Sequence, residues 1–99
     1  MEERLREYAR LLIGVGLNVQ KGQTLVLSSP VECAPFARLC ASAAYDAGCG
    51  EVVMNWTDDH MTREKFLRAQ DAAFTAPRAW RKAFFTEYAE EGAAYLRID

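Results

Sequence analysis

A short and almost continuous apolar run at residues 24–27 places the strongest constraint on the fold of this 99-residue chain. A strand without polar alternation must be covered on both faces, which is typical of a parallel sheet flanked by helices. Gly22 precedes the run and two serines end it. The run therefore predicts the first strand of an α/β domain.

Helical and strand patterns alternate along the rest of the chain. Leu5, Tyr8, Leu12 and Val15 recur at helical spacing within residues 2–15, so this face is predicted to be buried. The other predicted elements are helices over residues 30–47, over 60–70 and from Pro77, and strands over 51–55 and 94–98. This α-β-α-β-α-α-β order indicates a partial parallel sheet of about three strands flanked by helices.

Two helix starts have local signals. Ser29 and Glu32 around Pro30 form a capping-box pattern, in which the serine hydroxyl accepts from a backbone N–H of the first turn. We therefore predict that the second helix begins here. Thr57, Asp58 and Asp59 are the candidate caps of the third helix.

Trp80, Phe84 and Tyr88 recur every fourth residue in the fourth predicted helix, which favours a core face over a cofactor site. The third strand then runs to Asp99, with nothing after it to cover an edge. Uncovered edges pair with other chains, and doubly wound sheets commonly have about five or six strands. We expect that residues 1–99 are an incomplete domain, finished by further polypeptide or by a partner.

The formal net charge is −2, and the basic residues are interleaved with acids. Nucleic-acid surfaces need clustered Lys and Arg, so we expect no nucleic-acid partner. The longest apolar stretch, residues 11–19, is broken by glycines and is shorter than the ~20 residues of a membrane span. With no export signal at the start, we expect a cytoplasmic location and no membrane partner.

The cysteines and the single histidine do not form a metal site by spacing. Cys33 and Cys40 lie seven residues apart on one predicted helix, about 10 Å along its axis, whereas thiolates on one zinc must be neighbours. We therefore expect no metal site that combines them with Cys49 and His60. We expect reduced cysteines packed as small apolar groups.

Polar residues follow the first two strands and should meet at the carboxyl edge of the sheet. Ser28 and Ser29 end one strand, and Asp58, Asp59 and His60 follow the other. A Ser–His–Asp arrangement is conceivable there, but no G-x-S-x-G elbow exposes a serine. A capping role for Ser29 is the simpler interpretation, and no catalytic residue is assigned.

Four blocks of sequence resemble the opening region of the thermophilic-type metalloaminopeptidases, the aminopeptidase T and aminopeptidase S family. The blocks are residues 15–23, 30–32, 55–58 and 90–93. The resemblance extends from about Leu5 to Ile98. The first block followed by Asn-Trp-Thr-Asp at this distance is its most specific part, and the three cysteines depart from the usual small or apolar residues.

The resemblance implies a homodimeric peptidase that removes N-terminal residues from peptides in an enclosed cavity, using two divalent metals such as cobalt, zinc or magnesium. The metal ligands of the family lie in its later portion, so no metal or catalytic residue is carried over to this chain. The segment is then expected to be inactive alone and to serve as scaffold, cavity wall or dimer contact. Its cavity-edge candidates for substrate binding are Ser28, Ser29, Trp56 and Asp58.

Two other functions remain open on the sequence. The chain could be a stand-alone α/β binding or regulatory module that uses the strand ends as a pocket. It could also be a structural partner that completes its sheet by association.

Overall fold

The computed structural model describes residues 2–74 and 79–98, which contain four α-helices and a three-stranded parallel sheet. The helices are α1 (Glu2–Leu11), α2 (Ala34–Asp46), α3 (Asp59–Arg68) and α4 (Ala79–Glu90). The strands are β1 (Thr24–Pro30), β2 (Glu51–Thr57) and β3 (Ala94–Arg97), and their order in the sheet is β2-β1-β3. The predicted α/β class and element order are confirmed. Pro77 and Asp99 lie outside the described residues.

The core forms between the sheet and the α1–α2 side. Leu25 and Leu27 of β1 belong to this core, whereas Val26 points to the opposite face of the sheet, and all three are at most 1% exposed. The other core residues are Ala9, Ile13, Val19, Ala37, Cys40, Ala43, Ala44 and Cys49. The central strand is thus covered on both faces, as its sequence predicts.

The buried face of the first helix differs from the predicted one. Leu5, Tyr8 and Val15 are 40%, 57% and 76% exposed, while Ala9 and Ile13 are buried. Small residues let α1 lie close to α2, and residues 12–16 then form a π-helical turn that rotates the later side chains. The predicted stripe was therefore wrong for Leu5, Tyr8 and Val15. It was right for Leu12, which packs against the core.

The predicted side-chain cap is observed for α3 and not for α2. Asp58 caps α3, since its carboxylate accepts from the backbone N–H groups of His60 and Met61 at 3.0 and 3.3 Å. Ser29 does not cap a helix, so the capping-box prediction was wrong. Residues 28–30 instead extend β1 and pair with β2, and α2 begins four residues later, at Ala34. Sheet pairing outweighs the local capping preference, which is worth about 1 kcal/mol.

The aromatic stripe of α4 is not a core in the described part of the chain. Trp80 is 67% exposed, Phe84 and Tyr88 are half-buried, and no described residue of this helix is fully buried. The helix contacts the sheet through Phe85, whose ring centroid lies 6.4 Å from that of Tyr95. The prediction failed because periodicity identifies an apolar stripe but not what covers it.

Candidate functional site

A cleft of about 510 Å³ opens at the carboxyl ends of the strands. Its position follows from the strand order. The strand β2 lies on one side of β1, and the chain then crosses back to form β3 on the other side of β1. The two connections diverge at this point and leave a crevice beyond the strand ends, where open α/β sheets commonly bind ligands.

The floor of the cleft is a row of polar residues across the sheet. Asn55 of β2 and Arg97 of β3 are both in register with Ser28 of β1, so the three side chains share one face. The amide Nδ2 of Asn55 donates to Ser28 Oγ at 3.1 Å. Beyond β3, the backbone N–H of Ile98 donates to the carbonyl oxygen of Ser28 at 2.8 Å, which holds Ile98 at the cleft.

Helix α4 contributes Phe85 and Arg81 to the cleft lining. The hydroxyl of Tyr95 donates to the Phe85 carbonyl oxygen at 3.1 Å and ties the helix to β3. Arg81 lies one turn earlier on the same helix, and its guanidinium carbon is 5.8 Å from the ring centroid of Trp80. The helix therefore supplies one apolar and one cationic group.

The remaining lining residues come from the strand ends and the β2–α3 connection. They are Ser29, Pro30, Thr57, Asp59 and Ile98. Among the described residues, the ionisable side chains of the lining are two arginines and one aspartate, which have a formal net charge of +1. The cleft can therefore accept a small anion through hydrogen bonds and has an apolar wall beside it.

The structure separates the four candidates from the sequence. Ser28 and Ser29 line the cleft, whereas Trp56 and Asp58 lie outside its lining. Strand alternation turns Trp56 to the sheet face opposite Asn55, and the Asp58 carboxylate caps α3. A role for any of them in substrate binding stays a prediction.

The conceivable Ser–His–Asp arrangement does not form from the observed contacts. Ser28 Oγ accepts from Asn55, and Ser29 Oγ donates to the carbonyl oxygen of Pro30 at 2.9 Å. His60 is exposed in the first turn of α3 and is not among the lining residues. Among the described residues, neither hydroxyl is hydrogen-bonded to a histidine or carboxylate that could act as a general base.

The three cysteines are free thiols. Cys40 and Cys49 are buried as predicted, and Cys33 is half-buried. Burial raises the pKa of the Cys40 thiol from 9.0 to about 11. Burial also raises the pKa of Cys49, against a smaller lowering by a hydrogen bond from the Glu51 backbone. Such thiols are poor nucleophiles at neutral pH.

Sequence reasoning did not identify Arg81, Phe85, Arg97 or Ile98 as cleft residues. No local motif marks them, because they converge only through the crossover that brings α4 and β3 next to β1. With the β1–β3 register known, the alignment of Arg97 with Ser28 would have identified one of them.

The comparisons with known proteins agree with this architecture. Residues 1–99 match the family described as thermophilic metalloprotease (M29). The chain belongs to this family. Aminopeptidase 2 of Geobacillus stearothermophilus is 41% identical over 97 residues, and aminopeptidase PepS of Streptococcus thermophilus is 39% identical over 97 residues. The solved structure of wild-type AmpT from Thermus thermophilus superposes with a TM-score of 0.90 at 31% identity.

The pairwise alignments with these relatives are nearly complete for this chain and partial for the relatives. They cover 98% of the chain but 24% of Aminopeptidase 2, of PepS and of the AmpT structure. The chain therefore spans about a quarter of the length of the relatives it matches. It corresponds to the amino-terminal region of the AmpT fold, which confirms the resemblance. Within residues 2–74 and 79–98, no helix has the length and apolar character needed to cross a membrane.

Proposed function

We propose that this chain is the amino-terminal part of a divalent-metal-dependent aminopeptidase, an enzyme that releases N-terminal amino acids from peptides. The supporting observation is coverage, because nearly the whole chain matches about a quarter of each named aminopeptidase. We further propose a cytoplasmic homodimer whose two metals are cobalt, zinc or magnesium. The rest of the aminopeptidase polypeptide is its first partner.

The donor set of the described residues does not fit the metals that the family implies. No group of three His, Cys, Asp or Glu side chains in residues 2–74 and 79–98 is arranged to hold a metal ion. A catalytic zinc commonly needs about three protein ligands. We therefore assign the metals, and with them the hydrolytic step, to the part of the enzyme beyond this segment.

A scaffold role for the segment is supported by its uncovered apolar side chains. No described residue of α3, of residues 71–74 or of α4 is buried. The α3–α4 apolar surface consists of Met61, Phe66, Leu67, Phe74 and Trp80, which are 45–77% exposed. Two of them, Phe66 and Phe74, are in ring contact with centroids 5.6 Å apart, and large exposed apolar patches mark interaction sites. The remainder of the aminopeptidase is the proposed cover, since relatives carry about three times as much additional chain.

A chimera tests the proposal. The corresponding first quarter of Geobacillus stearothermophilus Aminopeptidase 2 is replaced by residues 1–99 of this chain, and release of leucine from a leucyl p-nitroanilide is followed with Co²⁺, Zn²⁺ or Mg²⁺. We expect chelator-sensitive activity from the chimera and none from the 99-residue chain or from Aminopeptidase 2 without its first quarter. An inactive, folded chimera would contradict the proposal, as would chelator-sensitive peptidase activity of the isolated chain.

A second experiment tests whether the α3–α4 apolar surface is covered. Leu67 is 70% exposed, so Leu67→Glu should change the unfolding free energy of the isolated chain by no more than about 0.5 kcal/mol. In the chimera the same glutamate would be buried, and the melting temperature should fall by several degrees. Thr62→Glu adds the same charge to α3 without removing an apolar group and serves as control. If Leu67→Glu lowered the melting temperature of the isolated chain and of the chimera equally, this cover would be excluded.

A further inference from the structure

We infer that the cleft at the strand ends is a carboxylate-binding subsite. In this subsite Arg81 and Arg97 hold the C-terminal carboxylate of a short peptide, beside the Asn55 amide and the Ser28 hydroxyl. The inference rests on the proposed aminopeptidase function and names the end of the substrate that this segment recognises.

The first support is the convergence of donors from separate elements. Arg81 comes from α4, Arg97 from β3 and Asn55 from β2, and all three line the same cleft. Both arginines are exposed. A guanidinium binds a carboxylate through two parallel hydrogen bonds, which fixes both its position and its orientation.

The second support is the match of charge and shape. In the described part of the lining, two arginines and Asp59 leave one net positive charge, which suits a carboxylate monoanion better than a phosphate dianion. Phe85 and Ile98 provide an apolar wall for the side chain of the last residue. A volume of about 510 Å³ lies within the common range of small-ligand pockets.

Direct binding to the 99-residue chain is the first test, with N-acetyl-phenylalanine, its amide and inorganic phosphate as probes. The acid lacks a free amino group and is therefore not an aminopeptidase substrate. Its titration should shift the NMR signals of the arginine Nε–H groups and the Asn55 side-chain amide. The amide derivative and phosphate should bind more weakly.

Charge variants then localise the binding. Arg81→Gln and Arg97→Gln should each weaken binding of the acid by about tenfold, since each removes charge-assisted hydrogen bonds. Arg81→Lys should restore part of the affinity. Arg38→Gln on α2, outside the cleft lining, is the matched control and should have no effect. Equal affinity for acid and amide, tighter binding of phosphate, or indifference to both Gln variants would overturn the inference.

The chimera separates this inference from the proposed function and does not require the isolated chain to fold. The peptide Leu-Gly-Phe and its C-terminal amide are compared as substrates, and KM should be about tenfold higher for the amide. Arg81→Gln should narrow this difference by raising KM for the acid. An inactive chimera counts against the aminopeptidase proposal, whereas an active chimera with equal KM values overturns the carboxylate subsite alone.

Discussion

Gly50 precedes β2 at a place where two turns meet closely. The backbone N–H of Gly50 donates to the Gln23 carbonyl oxygen at 2.8 Å, and the N–H of Gly22 donates to the Gly48 carbonyl oxygen at 2.8 Å. These bonds join the turn before β1 to the turn before β2. They therefore hold the beginnings of the two strands in register.

Replacement of Gly50 by alanine would place a Cβ atom 2.6 Å from the Gly22 carbonyl oxygen and 3.1 Å from its carbonyl carbon. Ordinary contact begins at 3.4 Å, so the backbone must move by about 0.8 Å. A flexible side chain could yield cheaply, but this neighbour is backbone held by a hydrogen bond. Overpacking of this kind typically costs about 1–3 kcal/mol, and we expect Gly50→Ala to lower the unfolding free energy by this amount.

Urea unfolding followed by circular dichroism measures the change, with Gly14→Ala as the matched control. A Cβ on Gly14 meets no atom within 4 Å, so this control should be neutral or stabilise the chain by up to about 1 kcal/mol. If the two variants have the same midpoint, the close approach of the turns does not limit the fold, and the reasoning is refuted.

Three further predictions concern α3 and the thiols. Asp58→Ala should destabilise the chain by about 1 kcal/mol in urea unfolding, while Asp58→Asn should keep most of the cap; equal losses would contradict the capping role. Because burial raises the pKa of Cys40 from 9.0 to about 11, the unfolded state loses its proton first, and stability should fall as pH rises through this interval. The urea midpoint of Cys40→Ala should therefore change less between pH 9 and 11 than that of the unsubstituted chain. The same pH dependence of the midpoint in both proteins would exclude this linkage. At pH 8 iodoacetamide should modify half-buried Cys33 before Cys40, as mass spectrometry would show.

Several features of the protein follow from the sequence alone. The alternation of apolar runs and helical patterns predicted the element order, the apolar run in β1 predicted a strand covered on both faces, and Asp58 predicted the start of α3. These are local properties, because they depend on the spacing and chemistry of residues that are close in the chain. The carboxyl edge was also predictable, since strand ends of a parallel sheet lie together.

The tertiary structure decided what local patterns could not. Ser29 extends β1 instead of capping a helix because β2 offers it a partner, and the stripe containing Trp80 remains exposed because no described element covers it. The meeting of Arg81 with Arg97 depends on a crossover that joins residues distant in sequence. Register and crossover arise from contacts between separated segments, so no short window of the sequence contains them.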